Sequence, residues 1–309
     1  MLKHLNTMNN VKFSILISTK NRKEELLLTL DNIDFIIQRN DVECVVFDDG
    51  SSDGTFQAVS SQFPNVKLFR NEKSRGYMFC RNFMLNNSNA MYAISLDDDA
   101  HFVSNHPLDY IENIFNQNLN CGLIAFRIFW GKQLPPILDS SDKSQRVKGF
   151  VGCGHVWRID TWKKIPSYPE WFVFYGEEEF ASYQLFKINQ EIIYEPSILV
   201  HHRVDVISRK NQNDYQLRLR RSLRSGWYLY FLFYPWRKIP KKMAYTLWVQ
   251  LKNKTFKGDY KASIAILQAI FDVLINLPKL LKNSNRLSLY ELKKYESLTA
   301  SKIFWKSNE

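Results

Sequence analysis

The sequence predicts an α/β fold, a mainly parallel sheet covered by helices on both faces and followed by a helical extension. Three observations predict it. Short β-branched runs alternate with amphipathic segments from residue 11 to about residue 100. The runs are apolar on both faces, as in strands buried on both sides. Polar clusters stand at the strand ends, where open α/β sheets take ligands.

The elements follow in order. "VKFSILIST" (11–19) is the first strand, and "NRKEELLLTLDNIDFII" (21–37) carries Leu26, Leu27, Leu30, Ile33 and Ile37 at helical spacing. Asn21 and Glu24 have the spacing of a capping box. "ECVVFDDGSSDGT" (43–55) is a strand that breaks into turn residues. A helix near 55–62, the strand "VKLFR" (66–70) and a helix near 76–87 come next. "AMYAISLDDDAHF" (90–102) then runs a strand into three adjacent carboxylates. After residue 120 the pattern loosens into "CGLIAFRIF", "GFVGCGHVW", a helix from Gly176 to Asn189, and "EIIYEPSILVHH". From about residue 205 the chain reads as wholly helical, basic and aromatic.

With 309 residues and 45% hydrophobic content there is ample material for a core, which excludes a disordered chain. The formal charge of +11 is unevenly spread: residues 1–204 carry 21 Lys/Arg against 24 Asp/Glu, and residues 205–309 carry 21 against seven. A boundary is therefore expected at 204/205. The front splits into a nucleotide half (about 11–100) and an acceptor half (about 101–204), and 205–309 forms the extension. Cys44, Cys80, Cys121 and Cys153 are scattered, without zinc spacing, and read as buried thiols of a reducing cytosol. The start "MLKHLNTMNNVKF" lacks the apolar segment of a signal peptide, and no stretch is expected to reach the roughly 20 apolar residues of a membrane span.

The clusters suit one chemistry. Along a strand, Asp97 and Asp99 point one way and Asp98 the other. Such a pair can ligate Mn2+ or Mg2+ while leaving positions for diphosphate oxygens, and the cation relieves the repulsion between the carboxylates. Asp48 and Asp49 can accept a hydrogen bond from a nucleobase imino group, or can simply close an Asx turn. Glu177, Glu178 and Glu179 in "YGEEEF" fall in a first helical turn, where like charges raise a glutamate toward the range of a general base. A histidine ending "EPSILVHH" can ligate metal or meet a phosphate.

In this order the segments "ISTKNR", "VVFDDGSSDGT", "CRN", "LDDD", "YGEEEF" and "YEPSILVHH" resemble the family-2 inverting glycosyltransferases, which have the GT-A fold; the nearest type is the bacterial polysaccharide and rhamnosyltransferase-like one. The resemblance covers residues 11–204. It implies a mixed sheet flanked by helices and a nucleoside-diphosphate sugar donor, UDP first, with dTDP or GDP as alternatives. Ser18, Asn21, Arg22, Asp48, Asp49, Arg81 and Asp97 would shape the nucleotide-sugar site. Asp97, Asp99 and His202 would hold the metal, with His202 preferred to His201. Glu178 falls where the family has its base, usually an aspartate, with Glu177 in reserve. Lys20 stands where an aromatic residue is common.

The tail "RLRRSLRSGWYLYFLFYPWRKIPKK" (218–242) sets Trp227 to Tyr234 between cations. Aromatic rings flanked by cations suit a bilayer interface, and the charge suits an anionic membrane surface. In "KASIAILQAIFDVLIN" the residues Lys261, Gln268, Asp272 and Asn276 share one side, leaving the rest apolar, to pack on the front part by default or to dip into lipid. No nucleic-acid motif accompanies the charge, and no Q-x-x-R-W motif of a processive synthase is present. The expectation is a cytoplasmic enzyme, peripheral on the cell membrane, acting on a glycan or lipid-linked acceptor. Two other classes fit less well: a sugar-nucleotide nucleotidyltransferase, which would want a glycine-rich loop where "STKNRKEE" has none, and an inactive nucleotide-binding scaffold.

Overall fold

The front of the chain alternates as its sequence pattern requires: β1 (Phe13–Thr19), α1 (Lys23–Ile37), β2 (Val42–Asp48), α2 (Thr55–Gln62), β3 (Lys67–Arg70), α3 (Tyr77–Asn87) and β4 (Tyr92–Asp97). Then come β5 (Ala100–Phe102), α4 (Pro107–Gln117), β6 (Cys121–Trp130), β7 (Gln145–Val147), β8 (Gly154–Arg158), α5 (Ile159–Trp162), α6 (Glu177–Lys187) and β9 (Glu191–His202). The extension consists of α7 (Tyr215–Phe233), α8 (Ile239–Asn253), α9 (Tyr260–Lys282) and α10 (Leu289–Glu296), and β10 (Trp305–Lys306) returns to the sheet. This computed structural model describes residues 11–204, 214–302 and 305–306. The expected boundary at 204/205 adjoins residues outside that set.

One sheet runs in the order β3-β2-β1-β4-β8-β6-β9-β5. β1, β2, β3 and β4 are mutually parallel, whereas β8 lies antiparallel between β4 and β6. The sheet is therefore parallel in the nucleotide half and mixed beyond it. Register places the polar strand ends together, with Ser18 beside Asp97 and Thr19 beside Asp48. The chain turns at Asp98 and Asp99 into β5, which pairs with the end of β9 so that Ala100 faces His202. This short strand has no signal of its own in the sequence. It brings the aspartates to the histidine.

Several sequence expectations need correction. Asn21 and Glu24 form no capping box: α1 has no side-chain cap. Asn21 is instead left-handed (φ 52°), its amide donates to Ser51 Oγ, and its Oδ1 accepts from Ser52 N. The aromatic run on α7 is core, not interface: Trp227, Tyr228, Leu232 and Phe233 are buried in one hydrophobic cluster with Trp157, Trp162, Phe172 and Tyr183 of the front part. The extension thus completes the core of the front part.

A further correction concerns α9, which is long and apolar enough to cross a membrane by length and composition, at 23 residues with a mean hydropathy of 1.8 in its most apolar window. It lies along α7, with Gln268 and Asp272 turned toward α7 beside the buried Ala265, Ile266, Ala269 and Val273, while Lys261 is exposed. Arg220 on α7 makes two bonds to Asp272, Gln216 meets Gln268, and the Tyr228 hydroxyl donates to the Asp272 carbonyl. The outward stripe is apolar: Tyr260, Leu267, Phe271, Leu274 and Ile275 are each more than 60% exposed. Tyr245 and Trp248 of α8 and Phe256 are also exposed.

Candidate active site

A cavity of about 740 Å³ opens at the carboxyl ends of β1 and β4. Its lining includes Ser18, Arg22, Asp49, Asp97, Glu177, Glu178 and His202, so seven of the residues singled out from sequence share one space. Asp99, buried beneath, completes the acidic group.

Asp97, Asp99 and His202 each offer a ligand atom, and these atoms lie within 4.8 Å of one another. His202 Nε2 is 3.0 Å from Asp99 Oδ1 and 3.8 Å from Asp97 Oδ2. Both ring nitrogens of His202 are buried. A buried imidazole beside two carboxylates, with its ligand atoms this close, is a donor set that suits a divalent cation. Burial works against charging the ring, but Cys153 and then the Asp99 carboxylate outweigh it and hold His202 well above its ordinary range. His201 is turned elsewhere, with Nε2 2.8 Å from the Gly131 carbonyl.

Asp98 has a different job, and the turn at Asp98–Asp99, not strand alternation, separates it from its neighbours. It accepts from Thr19 Oγ1 at 2.8 Å and pairs with Arg22 Nε at 2.9 Å, while Arg22 also reaches Asp99 at 2.6 Å. Burial pushes the Asp98 carboxyl up to about 7, even against the opposing pull of Arg22.

Asp48 and Asp49 divide their labour. Asp48 is fully buried, outside the cavity lining, and closes the turn by accepting from Ser51 N at 2.8 Å. Asp49 lines the cavity, but both its oxygens are engaged with the 71–76 loop. They accept from Asn71 Nδ2, Ser74 Oγ, Arg75 N and Gly76 N at 2.6–2.9 Å. These four bonds overcome the effect of burial and hold Asp49 below the usual carboxylate range. Asp49 is therefore the clamp of that loop.

Arg81 also stands behind the cavity wall. It pairs with Asp97 at 2.6 Å and lies 4.5 Å over the Tyr77 ring. Tyr77 donates to Glu177 Oε1 at 2.9 Å. A continuous contact chain thus joins the metal ligands to the acidic helix start.

That helix, α6, begins after Gly176, whose φ of 88° suits glycine. Val173 and Tyr175 share the left-handed sign with φ of 67° and 69°, so the 173–176 loop is strained. The extension holds it: Arg224 donates to the Phe172 carbonyl and Ser225 Oγ to the Phe174 carbonyl. Burial, then the charges of Glu177 and Glu179, raise Glu178 well above the ordinary glutamate range. Burial likewise raises Glu177, whose second oxygen has no partner. Gly152 lies directly under Glu178 Oε1, where a Cβ would force the carboxylate aside.

Residues not foreseen from sequence also line the cavity: Thr19, Tyr77, Trp130, Gly152, Tyr175 and Arg221. Arg221 comes from α7 and makes no ion pair or hydrogen bond among the described residues. Lys20, noted for replacing an aromatic residue, sits on the rim.

Residues 14–124 match the model for glycosyl transferase family 2. That segment belongs to the family. The chain shares its fold with GalNAc-T7 bound to UDP, GalNAc and Mn2+, at 12% identity and a TM-score of 0.61 over 88% of this chain and 58% of that one. The mannosyltransferase PcManGT from Pyrobaculum calidifontis, with GDP-Man and Mn2+, gives 14% identity and 0.53 over 93% and 79% of the two chains. Residues 1–349 of S. aureus TarS, with UDP-GlcNAc, give 16% identity and 0.52 over 71% and 66%. The chain thus spans little more than half of the GalNAc-T7 chain. No curated protein sequence matches it. At these identities the structural likeness establishes the GT-A fold.

Proposed function

We propose that the chain is an inverting, metal-dependent glycosyltransferase that moves a sugar from a nucleoside-diphosphate sugar to a hydroxyl of a glycan or lipid-linked acceptor in surface polysaccharide synthesis. The observation that carries this reading is one cavity lined by the Asp97–His202 metal cluster together with Glu177 and Glu178. The solved structures of similar fold hold UDP, UDP-GlcNAc or GDP-Man, which supports a donor of that class, UDP first and GDP or dTDP next.

The roles follow from position. Ser18, Asn21 and Arg22 shape the corner under the nucleotide, Asp48 sets the turn, and Asp49 acts on the base through the 71–76 loop it clamps. Asp97, Asp99 and His202 hold Mn2+ or Mg2+, which would share the negative charge of the departing diphosphate. Arg81 braces Asp97 from behind. Glu178, or Glu177 in its place, takes the acceptor proton in a single displacement, so the anomeric centre inverts. Melting the protein with UDP, GDP and dTDP sugars and Mn2+ tests the reading. One of them should raise Tm, and Asp99→Ala should remove the metal-dependent part of the rise. Flat melts across the whole set would defeat it.

We further propose that the enzyme is cytoplasmic and lies on an anionic membrane surface through α8 and α9. The support is the outward apolar stripe of α9, with exposed Lys252, Lys257, Lys261, Lys279 and Lys282 nearby. Full burial of one large apolar side chain contributes about 1.5–3 kcal/mol. Five residues left over 60% exposed therefore forgo several kcal/mol that lipid would return, more than the roughly 1 kcal/mol each nearby cation adds.

A further inference from the structure

A second cavity, of about 410 Å³, lies between the front part and the extension. Lys148, Phe150, Tyr183, Tyr234, Lys242 and Tyr295 form much of its wall. Glu178 is the one residue that lines both this cavity and the larger one. We propose that the second cavity is the acceptor site and that it receives the uncharged terminal sugar of the acceptor glycan. The inference rests on the glycosyltransferase reading above.

The geometry argues for it in three ways. In a direct displacement one carboxylate must touch the acceptor hydroxyl while the donor carbon waits on its other side. A residue that walls two adjoining cavities meets that need, and no other residue here does. The wall is also aromatic. Tyr183 and Tyr295 rings are 4.4 Å apart, and the Tyr183 and Tyr234 hydroxyls are 3.4 Å apart. Rings with a polar tip suit a sugar, which has an apolar C–H face and a hydroxyl rim.

Charge then narrows the class. Lys242 pairs with Glu296 at 3.0 Å, and the other charged residues of the wall, Lys148 with Glu178 and Glu179, add no net positive charge. A cavity with this balance does not favour an anionic sugar or a phosphate. Within it the reaction balances: the acceptor oxygen bonds to the anomeric carbon, its proton passes to Glu178, and the bond to the diphosphate breaks with its electron pair leaving on the nucleoside diphosphate.

Saturation-transfer NMR tests the site on the full chain with Mn2+ and whichever of UDP, GDP and dTDP raises Tm. The probes are the methyl glycosides of glucose, galactose, N-acetylglucosamine and rhamnose, with methyl glucuronide as the charged control. At least one neutral glycoside should receive saturation, and methyl glucuronide should not. Ala300→Trp and Ser301→Trp, both at this cavity's wall, should each cut the signal at least tenfold while the nucleotide Kd changes less than twofold. Silence from every neutral glycoside, a signal that survives both tryptophans, or a preference for the glucuronide would overturn the proposal. So would nucleotide affinity lost in step with the sugar. If Glu178→Gln kept full turnover, the assigned base would fail, while the NMR result would still judge the cavity.

Discussion

Glu178 is the base of the proposed reaction, with Glu177 in reserve, and its environment works against its charge. Burial and two neighbouring glutamates raise its proton affinity in the folded state, so ionising it costs folding free energy. Stability from this group is complete below the unfolded pKa and is lost as pH rises through the folded one. Glu178→Gln should therefore melt higher than the parent at pH 8, with the gap closing as pH falls toward 4. Turnover should drop by about 10²–10⁴-fold, the usual worth of a positioned base. Melting curves against pH, with kcat alongside, check both. A variant that melts lower at pH 8 would contradict the cause assigned. At this scale the sequence was legible where a side chain is its own signal. The family resemblance of "LDDD" and "YEPSILVHH" named Asp97, Asp99 and His202 as metal ligands, and the structure brings these three side chains together. Arg81 was also foreseen, though as an organiser of the phosphate side and not as a buried brace. Gly152, Trp130 and Tyr77 left no mark, because each matters only for what folding sets beside it.

Among the elements, α7 matters most for the site, since it pins a strained loop from outside the sheet. Arg224 and Ser225 hold the carbonyls of Phe172 and Phe174, and the chain then enters α6 at the acidic turn. Arg224→Ala removes a charged donor from a buried carbonyl, a loss of about 1–3 kcal/mol. Amide exchange over residues 172–176 should quicken, and kcat should fall although no reacting group has changed. Hydrogen-exchange mass spectrometry reads the first effect; unchanged protection would show that the loop holds itself. Strand–helix alternation made β1 to β4 legible because local periodicity and tertiary burial agree there. β5 was missed because three residues carry no period, and its pairing with β9 is decided by long-range register.

Across the molecule, the extension both finishes the core and offers a surface. Its aromatic run invited the interface reading, yet those rings are interior, and the exposed apolar area lies on α9. Periodicity can divide a helix into two faces, but it cannot say which one turns inward; the Arg220–Asp272 pair decides that here. The protein should sediment with phosphatidylglycerol vesicles more than with phosphatidylcholine, and added salt should narrow the difference. Leu267→Glu combined with Phe271→Glu should abolish sedimentation with both. Equal sedimentation of parent and variant would remove the membrane reading without touching the active site.

The line from Asp97 through Arg81 and Tyr77 to Glu177 makes the two ends of the catalytic cleft one electrical circuit. Placing two positive charges among the aspartates eases loss of a proton at the glutamates, since attraction between opposite charges does not stop at the first contact. In the proposed reading, a cation seated among the aspartates would therefore be felt at the acidic start of α6, through Arg81 and Tyr77.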